Sequence, residues 1–277
     1  MQTTDYTLNV GGRLMSLAQP QVMGILNLTP DSFYSGSRCE GEAVVRQRAR
    51  QIVDEGGSII DVGACSTRPG FTPPTTEEEM RRLREGLTAV RKEVPDAVVS
   101  VDTYRADVAR MAVEEFGTAI VNDVCGGSPP LTPPDRGRNR MFETVAQLGV
   151  PYVLTFNKAE QPLTFFASKV NALRELGQKD IILDPGFGFG KTLDDNYRLL
   201  TRFEALKVLE LPLLIGVSRK SMIQRVLDVD ADHALNGTTV LHTMCLMKGC
   251  AQILRVHDVR EAVEAVTLYL KTNTERN

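Results

Sequence analysis

The stretch Val98-Val99-Ser100-Val101-Asp102, the helical pattern near Arg105–Phe116 that follows it, and the run Ala119-Ile120-Val121-Asn122-Asp123 decide how this chain folds. An apolar, β-branched run ends in a carboxylate. An amphipathic segment follows, Gly117 stands just past its end, and a second apolar run ends in an amide and a carboxylate. Runs that barely alternate suit strands buried on both faces of a parallel sheet. A glycine at that point suits the left-handed residue that closes a helix, and Gly56, Gly149 and Gly177 take the same place elsewhere.

Working outward, the same unit recurs. Further apolar runs are Val22-Met23-Gly24-Ile25-Leu26, Ser58-Ile59-Ile60-Asp61-Val62, Tyr152-Val153-Leu154, Ile181-Ile182-Leu183, Leu213-Leu214-Ile215-Gly216-Val217 and Ile253-Leu254-Arg255-Val256, which makes eight in all. Helical patterns lie between them: Glu40–Glu55, Thr76–Glu93, Arg140–Leu148, Thr164–Leu176, Asp194–Glu204, Lys220–Leu227 with His233–Lys248, and Val259–Lys271. Thr76 with Glu79 is expected to form a capping box. Eight βα units predict a closed (β/α)8 TIM barrel, an α/β fold of about 250 residues, so residues 1–277 are expected to form one barrel domain. A doubly wound sheet is the alternative that strand counting leaves open. Leu8-Asn9-Val10 and Arg13-Leu14-Met15 around Gly11-Gly12 predict a short N-terminal β-hairpin that plugs the barrel. Cys125 to Arg138, with Gly-Gly and two Pro-Pro pairs, is a loop.

Composition removes several function classes. No run approaches 18 apolar residues, so no membrane-spanning helix is expected, and the start MQTTDYTLNV lacks the features of a secretory signal. A net charge of −3 from 32 basic and 35 acidic residues gives no general pull toward nucleic acid or anionic lipid. The five cysteines are scattered without a CxxC, which predicts a reducing, cytoplasmic setting rather than a disulfide frame.

The ends of the apolar runs carry the chemistry: Asn27, Asp61, Asp102, Asn122-Asp123, Asp184, Ser218-Arg219-Lys220, and Arg255 with His257. In a (β/α)8 barrel these ends converge on one mouth, where active sites lie. Asp102, Asn122, Asp184 and Lys220 mix donors and acceptors that suit a planar heterocycle, the acceptors on its N–H edge and the lysine on a ring carbonyl. Asn27, Thr67, Arg68, Arg255 and His257 form an anion set, in which the Asn27 carbonyl oxygen can also ligate a hard cation.

In order along the chain, Met23-Gly24-Ile25-Leu26-Asn27-Leu28-Thr29-Pro30-Asp31-Ser32-Phe33, Asp61-Val62-Gly63-Ala64-Cys65-Ser66-Thr67-Arg68-Pro69-Gly70, Ser100-Val101-Asp102-Thr103, Val121-Asn122-Asp123-Val124, Leu183-Asp184-Pro185-Gly186-Phe187-Gly188-Phe189-Gly190-Lys191, Gly216-Val217-Ser218-Arg219-Lys220-Ser221 and Arg255-Val256-His257-Asp258-Val259 resemble the signatures of the dihydropteroate synthase family. The resemblance runs from about residue 20 to 265. It implies a (β/α)8 barrel that condenses 6-hydroxymethyl-7,8-dihydropterin diphosphate with 4-aminobenzoate, releasing diphosphate. It implies catalytic roles for Asp102, Lys220, Arg255 and His257. Asp102, Asn122, Asp184 and Lys220 would hold the pterin, Phe189 would wall its pocket and Arg255 would stack on it. Asn27 would bind Mg²⁺, and Arg255 with His257 would meet the diphosphate. Phe33 on the first loop and Thr67, Arg68 and Pro69 on the second would close over the site, and Ser221 would meet the aminobenzoate carboxylate. A homodimer is the expected assembly, the helix His233–Lys248 either facing a twin subunit or lying in the core.

Other residues keep two readings. Asp61 either fixes a loop or meets substrate, and Asp31 either caps the first loop or serves it. Gly186 to Lys191 lacks the GxxxxGK[ST] spacing of a phosphate loop. His242, Cys245 and Cys250 are expected to be packing residues, and His233 a surface histidine. After the fifth run the family pattern predicts a His-Met pair, but this chain has Leu154-Thr155-Phe156-Asn157-Lys158-Ala159-Glu160, so Thr155 or Asn157 is expected to fill that place. The competing functions are a pterin-dependent methyltransferase and a non-catalytic pterin-binding homologue.

Overall fold

A hairpin opens the computed structural model, which describes residues 5–28, 38–65, 72–128, 139–158 and 160–274. Strands β1 (Thr7–Val10) and β2 (Arg13–Ser16) pair antiparallel around Gly11 and Gly12. Both glycines have positive φ, 62° and 83°, the backbone that a two-residue hairpin turn needs. Leu8 and Val10 point to the buried side while Thr7 and Asn9 face out.

Eight parallel strands follow: β3 (Gln21–Asn27), β4 (Ile59–Gly63), β5 (Val98–Asp102), β6 (Ile120–Asp123), β7 (Tyr152–Thr155), β8 (Ile181–Asp184), β9 (Leu214–Ile215) and β10 (Ile253–Val256). The hydrogen-bonded order is β8-β7-β6-β5-β4-β3-β10-β9. Leu183 N–H donates to the Pro212 carbonyl at 2.9 Å beside a parallel Leu183–Leu213 bridge, which joins β8 to β9 and closes the ring. This is the expected (β/α)8 barrel, and the doubly wound alternative is excluded by that closure. The helices are α1 (Arg38–Asp54), α2 (Thr76–Glu93), α3 (Ala106–Phe116), α4 (Arg140–Leu148), α5 (Pro162–Glu175), α6 (Leu193–Arg202), α7 (Ser221–Leu227), α8 (Leu235–Met247) and α9 (Val259–Thr274), with a 3₁₀ segment at Phe203–Leu209.

Two apolar cores organise the barrel. The larger lies between strands and helices and takes, among others, Leu26, Val62, Val101, Leu154, Leu183 and Val256. The smaller fills the floor of the barrel: Met23, Ile59, Ile120, Val153, Ile182, Leu214 and Ile253, with Leu8, Val10 and Leu17 from the hairpin region packed beneath. The hairpin is thus the plug that the sequence predicts, and it leaves the opposite end of the barrel open for chemistry.

Helix ends follow the glycine pattern, with φ of 90°, 60°, 64° and 87° at Gly56, Gly117, Gly149 and Gly177. The expected capping box is displaced. Thr75, not Thr76, caps α2, accepting from Glu78 N–H at 3.2 Å. Glu79 is fully buried, accepts the Thr103 hydroxyl at 2.6 Å and pairs with Arg105. A buried carboxylate with an alcohol and a guanidinium is better satisfied there than at an exposed helix start. A full capping box does occur at Thr192 and Asp195, opening α6.

Candidate active site

Strand alternation carries the floor directly to the site. Side chains two residues apart on a strand share a face. Two residues beyond the floor stand Ile25, Asp61, Ser100, Asn122, Thr155, Asp184, Gly216 and Arg255, one from each strand or its continuation. Two residues further stand Asn27, Gly63, Asp102 and, past the strand ends, Ser218 and His257. The polar residues at the strand ends therefore form two interior tiers stacked on an apolar floor, the layered interior of this fold.

The lower tier is a hydrogen-bonded cluster. Arg255 donates through Nε to Asp61 Oδ2 at 2.6 Å and through Nη2 to Asp102 Oδ2 at 2.6 Å. Asn122 Nδ2 donates to the same Asp61 oxygen at 3.0 Å. Asp61 is fully buried, and its other oxygen has no partner. It fixes no loop: it lies inside the barrel, holding Arg255 and Asn122. Gly63, its neighbour two residues on, leaves room for Asp102, since a Cβ there would stand 3.2 Å from the Asp102 Cβ. Burial raises the Asp102 carboxyl above the usual carboxylate range, with Arg255 opposing.

Asp184 accepts the Gly186 N–H at 2.7 Å. Burial raises its carboxyl, and Lys220 and that backbone bond oppose the rise. Gly186 has φ of 69°, and a Cβ there would stand 2.0 Å from the Phe156 carbonyl oxygen, so no other residue fits beneath Asp184. Lys220 lies at the N-cap of α7, its ammonium bonded to the Phe187 carbonyl and 4.5 Å from the centre of the Phe189 ring. Burial pulls this ammonium down to about 8, with Asp184 opposing. Lys191, which sequence reading passed over, donates to the carbonyls of Phe156, Gly186 and Phe189 at 2.8, 2.8 and 3.1 Å. It knots the Gly186–Lys191 turn to itself, so that turn is a platform under Asp184 and Phe189 rather than a phosphate loop.

At the mouth, the Ser218 hydroxyl oxygen accepts the His257 N–H at 3.1 Å and lies 3.0 Å from His257 Nδ1. Burial, with Arg255 adding, lowers His257 to about 4, so at neutral pH its imidazole is uncharged. Arg219 adopts φ of 53° and forms a two-pronged pair with Asp258 at 2.8 Å on each prong. It ties the turn bearing Lys220 to the turn bearing His257. Asn27 ends β3 exposed, and Ser221 is exposed at the first residue of α7.

Asp123 turns away from the interior, bonded to the N–H groups of Cys125 and Gly127 at 2.8 Å each and to the Tyr152 hydroxyl at 2.7 Å. Thr155 is buried in register with Asp184, while Asn157 Nδ2 reaches back to the Cys125 carbonyl at 3.3 Å. Thr155 is therefore the inward residue of the fifth unit. Phe33, Thr67, Arg68 and Pro69, together with Asp31, lie outside the described residues.

This arrangement matches a known family. Residues 23–257 match the family described as pterin binding enzymes. The dihydropteroate synthase of Clostridium beijerinckii is 34% identical, over 94% of this chain and 97% of its own length. That of Escherichia coli K12 is 35% identical over 92% of each. The solved structure of Xanthomonas albilineans dihydropteroate synthase with 4-aminobenzoic acid superposes with a TM-score of 0.85 at 32% identity, covering 98% of this chain and 99% of that one. The chain belongs to the dihydropteroate synthase family.

Proposed function

We propose that this chain joins 6-hydroxymethyl-7,8-dihydropterin diphosphate to 4-aminobenzoate. The observation that carries the reading is the two-tier interior, in which carboxylates, an amide and two cations converge on one apolar-floored pocket. Asp102, Asn122 and Asp184 accept from the N–H groups of the pterin ring, Lys220 donates to its carbonyl, and Phe189 walls the pocket. Arg255 stacks on the ring and, with His257, meets the diphosphate. Asp102 faces the methylene that becomes cationic as the C–O bond to diphosphate breaks. The aromatic amine then forms the new C–N bond, and its proton leaves to solvent. No enzyme nucleophile is required. Thr67, Arg68, Pro69 and Phe33 close the second site, and Ser221 meets the carboxylate of 4-aminobenzoate.

Mg²⁺ fits this site as a companion of the diphosphate. Asn27 offers one carbonyl oxygen at the mouth, and no cluster of three acidic, histidine or cysteine residues able to hold a metal occurs among the described residues. Such a donor set suits a hard cation that keeps its waters and its phosphate ligands. When bound, it neutralises charge developing on the departing diphosphate.

The deciding assay is diphosphate release by the purified protein with each substrate alone, both together, and both with Mg²⁺. Release that needs both organic substrates supports the reading. Pterin binding without release marks a non-catalytic homologue, and methyl transfer from a methylated pterin marks the methyltransferase.

The titration of Lys220 gives a second test. Its ammonium is protonated below about pH 8, and kcat/KM reports groups of the free enzyme. The expected profile falls on the alkaline side with an apparent pKa near that value, and Lys220→Arg moves the fall upward. A fall that stays in place in Lys220→Arg but moves in Lys191→Arg would assign it to Lys191, also lowered to about 8 by burial.

Assembly as a homodimer is proposed from α8. Val240, Met244 and Met247 form an exposed stripe, while Leu241, His242, Cys245 and Leu246 are buried. Leu235 is half-buried at the start of the helix. Sedimentation should give twice the chain mass, and Met244→Lys with Met247→Lys should halve it. The cytoplasm is the proposed location. Among the described residues no helix is long and apolar enough to cross a membrane.

A further inference from the structure

Asp61 stands in the lower tier, fully buried, with one carboxylate oxygen shared by Asn122 Nδ2 and Arg255 Nε. A carboxylate offers only acceptors, so the half of the Asn122 amide turned to it is the NH₂ group. The Asn122 side-chain oxygen is therefore not the atom turned to Asp61. Arg255 is a planar group held at two of its nitrogens, by Asp61 and by Asp102, which fixes the plane it presents. Asp61 thus sets the polarity of one neighbour and the orientation of another.

A second observation adds to this. Asp61 Oδ1 and Ser100 Oγ are both buried and neither has a partner. The two residues are registered against each other on β4 and β5. Two unpartnered polar atoms on adjacent strands of one tier are the setting in which an ordered buried water is held.

We propose that Asp61 is a positioning residue for the ring-binding tier, setting the direction of the Asn122 amide and the plane of Arg255, and that Asp61 and Ser100 share an ordered water that completes the floor. The inference rests on reading this pocket as the seat of a pterin ring. Calorimetry with 6-hydroxymethylpterin, which lacks diphosphate, tests it. Asp61→Ala, folded by circular dichroism, is expected to bind the probe at least tenfold more weakly. Asp61→Asn, whose carbonyl can still accept from Asn122 and Arg255, is expected to return to within threefold of wild type. In steady-state assays Asp61→Ala should raise KM for the pterin diphosphate more than it lowers kcat. A crystal structure of the wild type should show a water within hydrogen-bonding distance of both Asp61 Oδ1 and Ser100 Oγ, absent in Ser100→Ala. Unchanged probe affinity in folded Asp61→Ala overturns the positioning role, and a dry floor overturns the water. If Asp61→Ala does not fold, Asp61→Asn decides through its own crystal structure: unmoved neighbours with affinity within threefold, or a rotated Asn122 amide or guanidinium with weaker binding, support the role, and rotated neighbours with unchanged affinity or unmoved neighbours with tenfold weaker binding overturn it. Absence of probe binding by the wild type would instead defeat the pterin reading, leaving the amide direction and the water to be read from the crystal structure.

Discussion

Arg255→Ala is expected to lower the free energy of unfolding by about 3–5 kcal/mol at neutral pH, the scale for removing one partner of a buried ion pair. The guanidinium stands between Asp61 and Asp102 at 2.6 Å from each. Asp61 is fully buried and would keep only the Asn122 amide. Replacement by alanine leaves two carboxylates facing each other across an apolar-floored pocket. The loss should depend on pH in a defined direction. Burial already holds the Asp102 carboxyl above its ordinary value, and Arg255 opposes that rise. Without Arg255 the folded-state value climbs further. A carboxyl raised in the folded state stabilises fully below its unfolded pKa and loses that contribution as pH rises through the folded value. The difference between wild type and variant should therefore narrow from pH 8 toward pH 5, as the carboxyl takes up a proton. Urea unfolding at four pH values measures it. A gap that stays constant with pH, or one under about 1 kcal/mol, would show that the pair is not held as the geometry indicates.

The barrel was legible because its signal repeats. One βα unit is ambiguous, but eight short apolar runs, each followed by a helical pattern, leave few ways to bury both faces of so many strands. The polar residues at strand ends were legible for the same reason: Asp102, Asn122, Asp184 and Arg255 end or interrupt runs that are otherwise mostly apolar. What sequence could not supply was the direction of a side chain set by partners distant in the chain. Asp61 is 194 residues from Arg255, and no residue beside Asp61 in the chain points to that partner. A signal did exist. Counting by two from the floor residue Ile59 places Asp61 inside, just as counting from Ile120 places Asn122 inside and Asp123 outside.

Other differences have local causes. Glu79 was expected to serve its own helix, but a partner pair from the next βα unit, Thr103 and Arg105, satisfies it better in the interior. The run Leu213–Val217 forms a strand only at Leu214 and Ile215, with Leu213 bridging to Leu183 beside it. A turn then brings Ser218, Arg219 and Lys220 over the mouth, with Arg219 held at φ of 53° by its Asp258 pair. Lys191 was invisible as a structural residue because its partners are backbone carbonyls, which carry no sequence signature.

Asp102→Asn is expected to keep the fold and to lower kcat by about 30-fold to 1000-fold, equivalent to about 2–4 kcal/mol in the barrier for losing a preorganised charge near a developing one. Asp102 ends β5 in the upper tier, above Asn122 and Asp61 and beside the room left by Gly63. The amide keeps an oxygen for Arg255 Nη2, so the guanidinium is not released, and the pterin edge contacts of Asn122 and Asp184 are untouched. What disappears is negative charge near the methylene that becomes cationic when diphosphate leaves. An interaction made chiefly in the transition state lowers kcat and kcat/KM together and leaves ground-state binding nearly unchanged. Pterin-fragment affinity should therefore stay within about threefold, since the amide keeps an oxygen that accepts from the ring and only the charge is lost, whereas a lost contact would show at the kcal/mol scale. Because the carboxyl is raised by burial, wild-type kcat should also fall on the acidic side as Asp102 takes up its proton, and that limb should vanish in the amide variant. If pterin affinity instead drops in step with turnover, the Asp102 charge works through ground-state binding of the ring and not on the cation, and the assignment of charge stabilisation to the upper tier does not stand.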